Sequence, residues 1–115
     1  MSGIVQGDWV EVQTDKGPRQ VPAILVPPFA ITPDGMYELR KGGWRFTFSV
    51  THAASGFAVC PTLTEPKAFQ LIAALMADPV VVAAFSKETT EEIRALPSET
   101  LGRIGAIIGK YRGWL

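Results

Sequence analysis

The sequence predicts an α+β fold: an antiparallel sheet of four or five strands in the first half, covered on one face by three or four helices from the second. Three observations carry this. Residues 44–51 alternate strictly, with Trp44, Phe46, Phe48 and Val50 on one side and Arg45, Thr47, Ser49 and Thr51 on the other. That is the period of a strand with two unlike faces. Turn-forming clusters at 14–18, 33–35, 41–43 and 52–56 separate short extended stretches up to Cys60. Beyond Thr64 comes a nearly all-apolar stretch behind helix-capping residues, and from Leu101 apolar residues recur at three and four, the helical period.

In chain order, Asp8 to Gln13 alternates and reads as the first strand, and Thr14 to Pro18 as a turn. Gln20 to Val26 is a second strand in which Pro22 demands an edge or an entry position. Pro27 and Pro28 force an extended break, and Phe29 to Thr32 is short and extended. Pro33-Asp34-Gly35 has the composition of a turn. Met36 to Arg40 then pairs across Lys41-Gly42-Gly43 with Trp44 to Thr51, the aromatic side being the expected core face and the hydroxyl side the wet one. A turn over His52 to Gly56 leads to a returning strand, Phe57 to Cys60, which Pro61 ends.

Thr64 is a good N-cap for a helix from Glu65 to Ala77, with Pro66 in the first turn. Only Lys67 and Gln70 interrupt its apolar surface, so enclosure nearly all round is expected. Asp78-Pro79 opens either a short helix through Phe85 or, given the β-branched run Val80 to Val82, a strand. Thr89 and Glu92 have capping-box spacing for a helix to about Leu96, and Ser98 caps the last helix, which runs to about residue 112.

That last helix carries an apolar stripe of Leu101, Ile104, Ile108, Tyr111 and Leu115, widened by Ile107 and Trp114. Beside it runs a small-residue edge of Gly102, Gly105, Gly109 and Gly113. Glycines inside a helix cost about 1 kcal/mol each against alanine, so a close approach of some other backbone is expected to offset them. The partner is either the domain's own sheet or buried helix, or a helix of a second copy or another protein. Leu101, Gly105, Ile108, Gly109 and Trp114 are therefore candidate protein-interface residues.

The chain has 115 residues, 47% of them hydrophobic and 19% charged. One domain of this size supports its own core, and its sparse charge leaves room for a surface covered by a partner. Eleven basic and eleven acidic residues balance to zero, which removes the global electrostatic case for nucleic-acid or membrane binding. The charges are segregated, however, with Arg40, Lys41 and Arg45 in one basic patch and Arg103, Lys110 and Arg112 in another. No apolar run approaches the ~18 residues that span a bilayer. A single cysteine and no signal-like start give the expectation of a cytoplasmic protein without membrane association.

Catalytic signatures are lacking. His52 is the one histidine, leaving no second imidazole for a metal site or a triad. Cys60 and His52 occupy adjoining strand ends, but hairpin arithmetic puts His52 opposite Phe57, three residues from Cys60. Neither glycine cluster fits a phosphate loop. No enzyme activity, cofactor or metal is expected.

Two functions remain. The leading one is a small interaction protein that binds a protein partner or self-associates; size and absent motifs suit an accessory or inhibitor factor of the kind phages and mobile elements carry. The alternative is nucleic-acid binding by the open sheet face through Arg40, Lys41, Arg45, Thr47, Ser49 and Thr51. Three antiparallel strands followed by a helix resembles, in topology alone, the plant AP2 type and some integrase arm-binding domains, whose sequence motifs this chain lacks.

Overall fold

The computed structural model describes residues 8–112. Five strands are followed by four helices, as the α+β reading expects. The strands are β1 (Asp8–Thr14), β2 (Gly17–Val26), β3 (Phe29–Glu38), β4 (Trp44–His52) and β5 (Phe57–Leu63). The helices are α1 (Glu65–Met76), α2 (Pro79–Ala84), α3 (Thr90–Arg94) and α4 (Ser98–Gly109). The strands pair antiparallel in sequence order, as a meander of short connections requires.

The sheet is curled, and β2 is where it curls. Residues 17–23 of this strand pair with β1, whereas only Ile24, Leu25 and Val26 pair with β3. At Pro22 the strand has a neighbour on one side only, which is where proline is tolerated. The curl carries β1 round to the β4–β5 turn, where the Gln13 N–H donates to the Gly56 carbonyl at 3.4 Å. The backbones meet so closely there that a Cβ on Gly56 would lie 2.5 Å from the Glu11 carbonyl oxygen.

Two stretches differ from the sequence reading. Pro33-Asp34-Gly35 is not a turn: β3 runs through it, and the pairing with β4 shifts register there as a bulge. Pro61 does not end β5, which continues to Leu63, where it faces Phe48. In both places a residue suited to a turn sits where its strand is irregular, so its missing donor or unusual backbone breaks nothing.

The main core lies between the outer face of the sheet and the helices. Phe29, Ile31 and Val50 from the sheet pack with Ala68, Leu71, Ile72 and Leu75 of α1, Val81 of α2, Ile93 of α3 and Ile104 and Ile108 of α4. Residues 79–84 are helical, because Asp78 caps Val80 and Pro79 sits at the first position. The Thr89–Glu92 capping box is present. Helix α1 buries one stripe and leaves Phe69 and Met76 exposed, so it is not enclosed all round. A smaller cluster of Val10, Ala23 and Ala30 fills the concave side of the curl.

Candidate functional site

The β3–β4 hairpin has two halves with different surroundings. Its lower half is flanked by β2 and β5 and covered by α1. Above Ile31 on one side and Phe48 on the other, neither neighbour continues, so Gly35–Glu38 and Trp44–Thr47 form a two-stranded ribbon. Its tip is closed by the Leu39 N–H, which donates to the Gly43 carbonyl at 2.9 Å, and by the Gly42 N–H, which donates to the Leu39 carbonyl at 2.9 Å, with Gly42 and Gly43 at positive φ.

Alternation along β4 is as the sequence predicts, but the environment of the two faces is not. Thr47, Ser49 and Thr51, expected on the wet face, are buried. They point into the concave side of the curl, which β1 and β5 close over. The Thr32 and Thr51 hydroxyls pair at 3.0 Å. Thr47 and Ser49 both donate to the Asp34 carboxylate, Ser49 at 2.7 Å, and the Thr62 N–H donates to the same carboxylate at 2.7 Å. These hydroxyls tie β3, β4 and β5 together, and Thr32, Asp34, Ser49 and Thr51 line a cleft of about 360 Å³ inside the curl, with Arg19 on its wall.

The aromatic face is the one that reaches solvent. Val50 is buried and Phe48 half-buried under the helices, yet Phe46 is 60% and Trp44 63% exposed, because the ribbon outruns α1. Met36, the register partner of Phe46, is 58% exposed. The apolar surface continues down the same face into a shallow cleft of about 250 Å³ lined by Pro22, Ala23, Ile24, Ile31, Pro33 and Phe48. Trp9, opposite Pro22 in the β1–β2 register, is 66% exposed. At the tip, Arg40, Lys41 and Arg45 are exposed and form no ion pair among the described residues. The cations of the sequence reading thus lie at the tip end of the ribbon, with Arg45 on the strand face that carries Thr47 and away from Trp44 and Phe46.

The candidate interface on the last helix is divided. Leu101 is exposed, Ile108 is buried in the core, and Trp114 lies outside the described residues. Gly105 and Gly109, with Gly102, face open space: a Cβ at any of them would meet nothing within 4 Å. The close approach expected from the domain's own sheet or buried helix is absent, because α4 packs through Ile104 and Ile108, away from the glycine edge.

The remaining polar groups have structural partners. His52 is fully buried; its Nε2 lies 2.9 Å from the Phe85 carbonyl and its Nδ1 2.7 Å from the Ser55 hydroxyl. A carbonyl only accepts, so Nε2 carries a proton and the ring joins β4 to the end of α2. Cys60 is buried opposite Val50, and burial pushes its thiol above its ordinary pKa, against the pull of nearby Arg112. A raised thiol pKa is the reverse of what a nucleophile needs.

A cleft of about 620 Å³ lies between the β4–β5 turn and α3, with Glu88, Glu91, Arg94, Gln13 and Ser55 on its walls. On its wall the Ser55 hydroxyl donates to His52 Nδ1 at 2.7 Å and accepts from the Phe57 N–H at 3.1 Å, so a hydroxyl and an imidazole meet at this cleft. Among the described residues no three His, Cys, Asp or Glu side chains gather as metal ligands, and no helix is long and apolar enough to cross a membrane. The apolar ribbon is a feature that sequence reasoning missed. Its signal was the aromatic row Trp44, Phe46 and Phe48, on a strand of nine residues followed by a returning strand of seven. No family model, no curated protein and no solved structure matches this chain.

Proposed function

We propose that this chain is a non-catalytic interaction protein whose binding surface is the outer face of the β3–β4 hairpin. The supporting observation is the exposure of Trp44, Phe46 and Met36, side by side, on a ribbon with no flanking strand. Two isolated strands are marginal in water, and an apolar row on them is favourable only when something covers it. Tryptophan is among the residues that dominate binding energy at the centre of interfaces, and Trp44 is 63% exposed on this face. Partner capture from the native host, read by mass spectrometry, tests the reading with wild type and with Trp44→Ser/Phe46→Ser. A protein retained by wild type and lost by the equally folded variant is the expected result; equal retention by both overturns the hairpin as the surface.

A second reading rests on a different feature of the same ribbon. Arg40 and Lys41 at the tip, Arg45 on the reverse of the strand and the exposed Trp44 and Phe46 together supply cations for phosphates and rings on which bases stack, the pattern that holds single strands. Burial of Thr47, Ser49 and Thr51 removes the hydroxyl row that was to read a duplex groove. Fluorescence anisotropy with single-stranded and duplex DNA at about 50 and 200 mM salt tests it. Single-strand binding that weakens with salt and is lost in Arg45→Ala supports this reading, and no binding at the lower salt removes it.

A further inference from the structure

We infer that the partner of the hairpin is a second copy of this chain, with the two ribbons packed face to face and antiparallel about a two-fold axis. This rests on the hairpin being a protein-binding surface and names what covers it.

Three features of the molecule select this occupant. The first is area. Each of Trp44, Phe46 and Met36 is about three-fifths exposed, which for side chains of this size is on the order of 100 Å² apiece. With Ile24 and the wall of the Phe48 cleft, one copy presents about 450 Å², so a pair buries on the order of 900 Å², the size of a weak, concentration-dependent interface. A two-fold pairing of the same patch covers both copies at once.

The second is shape. A ribbon residue near the tip, Trp44, projects as a knob, whereas about 13 Å down the same strand face Phe48, Ile24 and Pro22 line a shallow apolar cleft. Antiparallel packing brings the knob of each copy over the cleft of the other. The midpoint between knob and cleft is the Met36–Phe46 register pair, which therefore sits at the axis.

The third is charge. The chain is neutral overall, so two copies approach without long-range repulsion. The tip is not neutral: Arg40, Lys41 and Arg45 meet only Glu38 there. Parallel ribbons would bring two such tips together, whereas antiparallel ribbons place them at opposite ends of the interface.

The test is sedimentation equilibrium between about 1 and 200 μM, combined with cross-linking through introduced cysteines. The native Cys60 is fully buried and does not compete. Wild type is expected to pass from monomer to dimer within this range, and Phe46→Ser to stay monomeric with unchanged circular dichroism and thermal midpoint. Met36→Cys, at the axis, is expected to form a disulfide with its own copy on mild oxidation, and Lys41→Cys, at the tip, not to do so. A wild type that remains monomeric throughout, or tips that cross-link faster than the axis position, overturns the inference. The wider reading fails separately: a monomer that still captures a host protein through Trp44 keeps the hairpin as a docking surface with another occupant, and a monomer that captures none loses both.

Discussion

Asp34 and Thr62 are 28 residues apart, yet the Thr62 N–H donates to Asp34 Oδ2 at 2.7 Å, and Thr62 holds a left-handed backbone with φ of 61°. A β-branched residue pays about 1–2 kcal/mol for that conformation, and here it aims an N–H at a carboxylate that also gathers the Thr47 and Ser49 hydroxyls. Asp34 is thereby the point where β3, β4 and β5 are tied, immediately before α1 begins. Asp34→Ala is expected to destabilise by about 2–4 kcal/mol, since it orphans buried hydroxyl donors as well as the N–H. Thr62→Gly keeps the N–H and accepts the positive φ, so its effect should stay within about 0.5 kcal/mol, whereas Thr62→Pro should cost as much as losing Asp34. Urea unfolding of the three variants checks the ranking.

Closure of the curl depends on Gly56. Its φ is 74°, and a Cβ would press against the Glu11 carbonyl and the Val12 backbone, neither of which is a flexible side chain. Gly56→Ala should cost more than about 2 kcal/mol and raise amide exchange along β1, the strand the contact holds in place. Exchange in β1 as slow as in wild type would show that the β1–β2 hairpin stays closed without it.

Asp78 links α2 to α4 through its bond with Arg103 and caps α2 at Val80. The Arg103 hydrogen bond holds its carboxyl below the usual carboxylate range, assisted by the Val80 N–H and opposed by partial desolvation. A carboxylate with a depressed folded pKa contributes stability above its unfolded pKa, about 3.9, and loses it as pH falls through the folded value. Asp78→Asn can still cap α2 but cannot pair with Arg103, so the stability gap between wild type and variant should shrink below about pH 4. Thermal melts from pH 6 to pH 2.5 measure it, and a gap that does not change with pH rules out the ion pair as its source.

Gly105 shows how an intramolecular expectation is reversed by open space. With nothing within 4 Å of an added Cβ and an ordinary helical backbone, Gly105→Ala should stabilise the chain by about 0.5–1 kcal/mol. A loss of stability in the purified protein would mean that the glycine edge has a close neighbour in solution.

What could be read from the residues alone was local and periodic. The helix starts at Thr64, Asp78 and Thr89 were legible because a cap is a contact between residues two or three apart. The alternation of β4 was legible for the same reason. The prolines at 33 and 61 misled because a bulge and a turn draw on the same residues, and only the pairing strand tells them apart.

The sequence by itself determined an α+β chain, an aromatic row and a hydroxyl row on opposite faces of one strand, and a cationic tip between Glu38 and Trp44. The tertiary structure decided which row meets water. Alternation fixes that two faces differ and leaves open which is covered, and coverage depends on elements far along the chain. The curl through β2 sealed Thr47, Ser49 and Thr51 inside, and α1, starting beside Phe48, stopped short of Phe46 and Trp44. On the face expected to be core, Val50 and Phe48 are covered, while Phe46 and Trp44 are exposed because the strand is longer than the helix that covers it.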